Sequence, residues 1–378
     1  MIRSAALAGA LALALGCTQV EAHAVAPVRD LCPLRRLEVP AVGLNLAEEE
    51  AGRGYVSSAV SSTLGTVADL GGNSVALVVV ARLPGLDSNA FDHRLRPDRA
   101  TLSRLVERGR QLGLRTLIVP HIWVDGGHWR GDIARAGAAA DAFFARYRDY
   151  LGPLADDAEA ACADGLSIGV ELKALTGDPA QQLRFAALIA DLRQRFHGLL
   201  TYSANWDEAA QVGFWRDLDL ISVNGFFPLA ASARPTDAEL ASGAAAMMQQ
   251  LDRLAEHNGR PVLLIEAGYK ATTDNAQRPW EWPVGVPLPL DEQAQLRAYR
   301  ALTSALRTTP RVVGVLFWLI PTGTDRPDAR AFEPAWGFSP LGKAAEVELR
   351  ALAAWARERR GVGRAVVPPG SQSPQRRP

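Results

Sequence analysis

The sequence lacks the marks of several large protein classes. Its 378 residues contain three cysteines, Cys17, Cys32 and Cys162, and no Cys-x-x-Cys pair or Cys/His cluster indicates structural zinc. Lysine plus arginine and aspartate plus glutamate each total 41, so the formal net charge is zero. Because there is no basic excess, the charge balance indicates neither nucleic acid nor an anionic membrane surface as a partner. We expect a neutral or mildly charged small molecule or polymer instead.

No apolar run is long enough to span a bilayer, which takes about 20 residues. The run at 5–15 (AALAGALALAL) comes after Arg3 and is followed by small residues, which is typical of an export signal. Cleavage after the A-x-A motif that ends at Ala24 would remove residues 1–24 as a signal peptide and leave a soluble protein. Alternatively, the Gly-Cys pair that ends at Cys17 resembles a bacterial lipobox, and Cys17 would carry a lipid anchor. Both routes predict an exported protein, periplasmic or extracellular, with the second making it a lipoprotein.

The rest of the chain alternates short apolar runs with longer segments of helical spacing, a pattern that predicts βαβ units and a parallel sheet. The apolar runs are 41–46, 73–80, 114–121, 165–171, 198–203, 218–223, 261–266 and 312–318. The helical segments include 97–112, 137–162, 178–196, 237–258, 291–307 and a last one at about 340–358. Eight such units that close on themselves form a (β/α)8 TIM barrel, which is the fold class that we predict.

We assign the barrel to residues 30–360, with no internal domain boundary. A doubly wound open sheet is the main alternative, but no G-x-G-x-x-G phosphate-binding motif follows an early strand. Residues 361–378 are rich in proline, glycine and serine, and we predict that this tail is disordered. Cys32 precedes the first strand and Cys162 the fourth, so both would lie near the bottom of the barrel. An oxidising compartment permits a disulfide between them, and two unpaired thiols remain the alternative.

Active sites of TIM barrels lie where the strands end, and side chains alternate along each strand. With that period, the strand ends present polar and aromatic side chains on what we predict is one surface. These residues are Asn45, His121, Glu171, Asn205, Asn224, Glu266 and Trp318. Strict alternation also places Val262 and Leu264 on the same face as Glu266, and it places Gly169 on the same face as Glu171.

Glu171 and Glu266, on strands four and seven, suit the cleavage of a glycosidic bond. One carboxyl acts as a general acid on the leaving oxygen while the other attacks or stabilises the anomeric carbon. The two roles need different pKa values, and the anion at one group raises the proton affinity of the other. We predict that these two glutamates are the catalytic pair, the alternative being buried carboxylates held by arginine.

Tryptophan is concentrated around the predicted mouth of the barrel. Seven of the nine tryptophans lie at or after strand ends: Trp123, Trp129, Trp206, Trp280, Trp282, Trp318 and Trp336. Flat rings stack on the apolar faces of sugars, so these positions indicate an oligo- or polysaccharide substrate. His121 has only His128 near it and no companion acid, which is a weak metal signal. We therefore expect no metal and no cofactor, and we interpret His121 as a partner of a sugar hydroxyl.

Several motifs occur in an order and spacing that resembles glycoside hydrolase family 113, whose characterised members are endo-β-1,4-mannanases of clan A. The motifs are GLNL, GGNSVALV, PHIWV with GGHW, SIGVEL, YSANW, ISVNGFFPL, IEAGYK and GVLFWLIPTG followed by WGFSPLGKAAE. The resemblance implies a retaining mechanism, with Glu171 of SIGVEL as acid/base and Glu266 of IEAGYK as nucleophile. Matching positions expected to line the sugar subsites are Asn45, His121, Trp123, Asn205, Trp206, Asn224 and Trp318. We expect the protein to act as a monomer.

Two positions depart from the pattern of the relatives. Many clan A enzymes have asparagine directly before the acid/base, where this chain has Val170. Relatives often have a tyrosine on strand six that hydrogen-bonds the nucleophile, where this chain has Phe226, or Phe227 if the register shifts. The missing hydroxyl motivates an alternative function, a catalytically impaired barrel that binds glycan at the cell surface or in the periplasm. A metal-dependent barrel hydrolase such as a deacetylase is the third hypothesis.

Overall fold

The structure is a computed structural model of the chain. It describes Cys32, Arg35, Leu37 and residues 40–48, 53–281, 289–322 and 336–359. The predicted signal peptide, the alternative lipid site at Cys17 and the predicted tail 361–378 lie outside the described residues. Cys32 and Cys162 each take part in a disulfide bond, so neither is a free thiol.

Eight parallel strands pair in chain order, and the last pairs with the first, which closes the barrel. The strands are β1 (Ala41–Glu48), β2 (Ser74–Leu83), β3 (Arg115–Val124), β4 (Gly165–Val170), β5 (Leu199–Asn205), β6 (Ile221–Asn224), β7 (Val262–Ala267) and β8 (Val312–Thr322). The predicted (β/α)8 fold is confirmed. The barrel lies within the compact unit Leu34–Pro378.

Helices follow most of the strands. They are α1 (Ala59–Asp69), α2 (Arg99–Gln111), α3 (Gly137–Ala160), the single turn α4 (Lys173–Thr176), α5 (Gln182–Arg195), α6 (Asp237–Asn258), α7 (Glu292–Leu306) and α8 (Glu346–Glu358). Between β5 and β6, residues 206–220 contain only the 3₁₀ turn Trp215–Asp217, so strand and helix do not alternate there. Among the described helices, none combines the length and the apolar character that crossing a membrane requires.

Local sequence explains where these elements begin and end. The strand β2 (SVALVVVARL) is an almost unbroken apolar run because barrel strands are buried on both faces. Helix α6 begins with a capping box, in which Thr236 accepts from the backbone of Glu239 and the Glu239 side chain accepts from the backbone of Thr236. It ends at Gly259, whose φ of 63° is the left-handed conformation that glycine adopts without a steric penalty.

Two apolar clusters surround the strands. The smaller one fills the barrel interior and consists of Leu37, Ala41, Ala76, Leu117, Val119, Val170, Leu199, Leu220, Leu263, Ile265, Val313 and Leu316. The larger one joins the outer strand faces to the helices. The interior also holds hydroxyl pairs, Ser167 with Ser203 at 3.0 Å and Thr201 with Ser222 at 2.8 Å. These hydrogen bonds satisfy polar groups that would otherwise be costly to bury.

The strict alternation predicted for strand seven is wrong. Leu264 belongs to the helix-facing cluster, whereas its neighbours Leu263 and Ile265 point into the barrel. Glu266 nevertheless reaches the mouth of the barrel, because the register of β7 shifts against both β6 and β8. A bulge of this kind inserts a residue and re-aims the side chains that follow it.

Candidate active site

A cleft of about 980 Å³ lies at the carboxyl ends of the strands. Seven of the nine predicted site residues line it: His121, Trp123, Glu171, Asn205, Trp206, Glu266 and Trp318. Four further charged side chains share its wall: Glu48, Arg130, Lys173 and Asp207. Lys173 forms an ion pair with Asp207 at 2.5 Å, which turns its charge toward that partner. The cleft therefore combines two glutamates, one histidine and several indole rings in one concave surface.

Glu171 lies one residue beyond β4 and has a φ of 50°. The left-handed conformation costs a non-glycine residue roughly 1–2 kcal/mol. The backbone N–H of Glu171 donates to the carbonyl of Ser203 at 2.8 Å, which anchors the turn to β5. The register of β4 also shifts between Ser167 and Val170. The prediction that strict alternation brings Glu171 to the cleft is therefore wrong. The left-handed turn at Glu171 brings its side chain there instead.

Three donors surround the carboxylate of Glu171. The indole Nε1 of Trp129 donates to Oε2 at 3.1 Å, and the amide Nδ2 of Asn224 donates to Oε1 at 2.9 Å. A guanidinium nitrogen of Arg130 lies 3.5 Å from Oε2. Both carboxylate oxygens are therefore oriented by groups from outside β4.

Glu266 is buried, with 4% of its surface exposed. Burial raises the pKa of Glu266 to about 7, against the lowering effects of the Arg130 charge and of a hydrogen bond from the Asn224 side chain. Asn224 and Glu266 are neighbours across β6 and β7. Asn224 therefore adjoins both glutamates, because its amide donates to Glu171 and its strand position is paired with that of Glu266.

His121 links Glu266 to Arg130. Its Nε2 lies 3.2 Å from Oε1 of Glu266, and its Nδ1 lies 3.0 Å from a guanidinium nitrogen of Arg130. Burial and the charge of Arg130 hold the pKa of His121 well below its usual range, and the charge of Glu171 opposes them. The ring stacks on Trp318, with a centroid separation of 5.9 Å. His121 is therefore a neutral imidazole in a fixed orientation.

Indole rings form the walls of the cleft. Trp123 is 41% exposed and Trp280 is 40% exposed, so both rings are accessible to a ligand. Trp206 packs against Trp280 at a centroid distance of 5.4 Å and against Phe227 at the same distance. Exposed aromatic faces held by their neighbours are suited to stacking on sugar rings. In the part of the chain that the structure describes, no group of three or more His, Cys, Asp or Glu side chains is arranged to hold a metal ion.

The model of Glycoside Hydrolase Family 113 matches residues 49–333 of this chain. The chain belongs to glycoside hydrolase family 113. A comparison with curated proteins found no match. The protein is therefore a glycoside hydrolase. The two glutamates of the cleft are the carboxyl groups that such chemistry requires.

Solved structures resemble the family 113 chain in fold. A GH113 β-1,4-mannanase has a TM-score of 0.73 at 19% identity, and the match covers 84% of this chain and 99% of that one. The GH113 β-mannanase AaManA from Alicyclobacillus acidocaldarius has a TM-score of 0.70 at 21% identity, over 87% and 99% of the two chains. The endo-β-1,4-mannanase from Thermotoga petrophila has a TM-score of 0.60 at 16% identity, over 87% and 79%. At these identities the likeness concerns the fold.

Of the two phenylalanines at the position where relatives often have tyrosine, Phe226 is the one in the cleft. It lines the cleft and packs against Phe338 with a ring separation of 5.7 Å, whereas Phe227 packs against Trp206. Phe226 has no hydroxyl, so a hydrogen bond to Glu266 has to come from another group. His121 is a candidate, because its Nε2 lies 3.2 Å from Oε1 of Glu266.

Two predicted subsite residues do not line the cleft. Asn45 is completely buried, and its amide donates to the carbonyls of Ile265, Leu316 and Phe317. Its amide nitrogen ties β1 to β7 and β8, and the role of Asn45 in binding substrate stays a prediction. Asn224 is also completely buried, and its amide donates to Glu171.

Arg130 and Glu208 are the residues that sequence reasoning missed. Arg130 begins a 3₁₀ turn, Arg130–Asp132, after β3. Glu208 is completely buried and accepts hydrogen bonds from Thr176 and Tyr202 and from the backbone of Asn205. Neither residue belongs to an apolar run or a strand end, so hydrophobic periodicity carries no signal for them.

Tyr202 connects Glu208 to the turn that carries Glu171. Its hydroxyl donates to Glu208 at 2.6 Å and accepts from the backbone N–H of Leu172, the residue after Glu171, at 2.6 Å. We expect Tyr202→Phe to lower the free energy of unfolding by about 1–3 kcal/mol, because a buried N–H and a buried carboxyl each lose a partner. Denaturant unfolding measures this loss, and kcat should fall with it as Glu171 loses its support.

The control is Tyr269→Phe. Tyr269 is equally buried, but its hydroxyl makes one long hydrogen bond, 3.4 Å to the carbonyl of Phe227. We expect a smaller loss of stability for this variant. Equal losses in the two variants would show that the Tyr202 hydroxyl contributes no more than an ordinary buried phenol.

Proposed function

We propose that this chain is a retaining, endo-acting hydrolase of a β-linked polysaccharide of the β-1,4-mannan type. One observation carries the proposal: Asn224, whose amide donates to Glu171 at 2.9 Å, is paired across β6 and β7 with Glu266. This arrangement brings the two carboxyl groups next to one residue, which supports a short separation between them. Retaining glycosidases hold their carboxyl groups about 5–5.5 Å apart, whereas inverting enzymes need roughly 6.5–9.5 Å to fit a water molecule.

The proposed mechanism uses the two carboxyl groups in turn. Glu266 attacks the anomeric carbon while Glu171 protonates the departing glycosidic oxygen, which gives a covalent glycosyl-enzyme. Glu171 then removes a proton from water, which displaces Glu266 and releases a product of unchanged anomeric configuration. The hydrogen bonds from Trp129 and Asn224 hold Glu171 in place for both steps.

The cleft supports a polymeric substrate. Its volume of about 980 Å³ is at the upper end of the roughly 300–1,000 Å³ that small-molecule sites occupy. The indole rings are distributed along it, so several sugar units can stack at once. The mannan assignment rests on family membership and on the fold shared with β-mannanases. A polysaccharide is degraded outside the cytoplasm. This agrees with the proposed export of the protein, either in soluble form or as a lipoprotein anchored at Cys17.

Product analysis tests the proposal. We expect the purified protein to release oligosaccharides from mannan or glucomannan, with the viscosity falling early, and to release much less from xylan or galactan. Proton NMR during the first minutes should detect the β-anomer before mutarotation produces the α-anomer. An α-anomer formed first would indicate inversion, and monosaccharide as the sole early product would indicate exo action. Binding of mannan without new reducing ends would support the glycan-binding alternative.

A further inference from the structure

Two buried polar atoms face each other in the floor of the cleft. Nε2 of His121 and Oε1 of Glu266 are 3.2 Å apart, on side chains that are 3% and 5% exposed. Neither atom has a hydrogen-bond partner of regular geometry within the described ranges. Buried polar atoms in native proteins nearly always have a partner. Either one of these atoms donates a hydrogen bond to the other, or both are buried without a partner, which costs free energy at each atom.

Arg130 decides which nitrogen of His121 carries the proton. A guanidinium group has only donors, so the Nδ1 atom that lies 3.0 Å from it accepts through its lone pair. A neutral imidazole that accepts at Nδ1 carries its proton at Nε2. The burial and the positive neighbour that lower the pKa of His121 also exclude the imidazolium. The N–H of His121 is thus on the side of Glu266.

We propose that His121 donates a hydrogen bond from Nε2 to the nucleophile Glu266, and that Arg130 is the positioning residue that fixes the tautomer of His121. This inference rests on the proposed role of Glu266. It replaces our interpretation of His121 as a partner of a sugar hydroxyl, and it supplies the donor that Phe226 lacks. The N–H does not point straight at Oε1, and catalytic hydrogen bonds commonly align only when substrate binds.

The loop after β3 has a double role in this arrangement. Trp129 and Arg130 are consecutive, and both contact Glu171, while Arg130 also contacts His121. Trp318 stacks on the imidazole ring and restricts its rotation. One short segment therefore positions the proposed acid/base directly and the proposed nucleophile through His121.

Two amide variants distinguish the roles of the two ring nitrogens of His121. The amide of glutamine in His121→Gln reaches the position of Nε2 and retains a donor toward Glu266, whereas that of asparagine in His121→Asn reaches only the position of Nδ1. We expect His121→Asn to lose roughly 10²-fold in kcat, the usual effect of removing one preorganised donor, and His121→Gln to lose less than about tenfold. KM should change little in either variant. The exposed His128 provides the control, and His128→Asn should match the parent.

The pH profile adds a second readout. Glu266 has to be ionised to attack, and burial raises its pKa to about 7, so kcat/KM of the parent should fall as the pH drops below about 7. Loss of a donor to the carboxylate raises its pKa further, so the acidic limb should move to higher pH in His121→Asn and stay in place in His121→Gln. The charged or titratable groups around Glu266 in the cleft are Glu48, His121, Arg130, Glu171, Lys173 and Asp207.

Nitrogen NMR of the histidine-labelled protein tests the tautomer without any assay of activity. We expect a neutral ring with a protonated Nε2 and an unprotonated Nδ1 at neutral pH, assigned by its loss in His121→Gln. Arg130→Met should restore tautomer exchange or protonation of the ring. A proton on Nδ1 in the parent would overturn the inference even if the protein hydrolyses mannan. Equal kcat values for the two amide variants, or a rise in KM alone, would overturn the donor role and favour contact with sugar.

Discussion

Glu266→Ala should reduce kcat/KM on polysaccharide by at least about 10⁴-fold, equivalent to roughly 5 kcal/mol of barrier height. The reason is that Glu171, the other carboxyl group of the proposed pair, is held by hydrogen bonds from Trp129 and Asn224 and does not replace the missing nucleophile. Without the attack of Glu266 no glycosyl-enzyme forms. Reducing-sugar release under identical conditions measures the loss.

The control for this variant is Glu107→Ala, an exposed position on α2, which should retain full activity. Azide offers a sharper test, because it can enter the space that the missing carboxylate leaves and attack the anomeric carbon of an activated aryl β-mannoside. We expect Glu266→Ala with azide to yield the α-glycosyl azide, a product of inverted configuration. Parent-like release of reducing ends by Glu266→Ala would remove the nucleophile assignment.

Removal of Glu266 should also change the free energy of unfolding. Above pH 7 we expect the fold to become more stable although activity is lost. Its pKa is raised to about 7 in the folded chain, compared with an ordinary value of about 4.3. The folded state therefore binds the proton more tightly, and this contribution to stability is lost as the pH rises from about 4 to 7. The ionised, buried carboxylate thus destabilises the fold above pH 7, where catalysis requires it.

The sequence predicted the barrel well because its strands are long apolar runs, as β2 illustrates. The alternation rule also holds for β3, where Leu117 and Val119 point into the barrel and His121 reaches the cleft. It fails at β4 and β7, where the register shifts just before each glutamate. The prediction of Glu171 and Glu266 at the cleft was correct, but the geometric reason given for it was not.

Bulges and left-handed turns leave little trace in a single sequence. Glu171 adopts a φ of 50° although glutamate has no preference for that region; the hydrogen bonds of its surroundings impose it. The same limit applies to Arg130 and Glu208, which have partners in distant parts of the chain, Glu171 and Thr176 respectively. Asn45 shows the converse limit, because the strand-joining hydrogen bonds of this polar residue cannot be read from its position at a strand end.

Glu171→Ala should reduce hydrolysis of polysaccharide by about 10²–10⁴-fold, the usual contribution of a general acid–base group. The loss should depend on the leaving group. A dinitrophenyl β-mannoside leaves without protonation, so Glu266 should still form the glycosyl-enzyme from it. Water then attacks slowly, because the base that activates it is absent. A stopped-flow burst of dinitrophenolate, equal to the enzyme concentration, measures this change in the rate-limiting step.

Azide distinguishes this variant from Glu266→Ala. It needs no base, so it should accelerate turnover of the dinitrophenyl substrate by Glu171→Ala and give the β-glycosyl azide, a product of retained configuration. The opposite configurations from the two variants would assign the two carboxyl groups independently of the parent's substrate. An α-azide from Glu171→Ala would reverse the assignment. Equal losses of kcat/KM, which reports formation of the glycosyl-enzyme, on the polysaccharide and on the dinitrophenyl substrate would contradict the role of Glu171 as proton donor, since that role matters only for poor leaving groups.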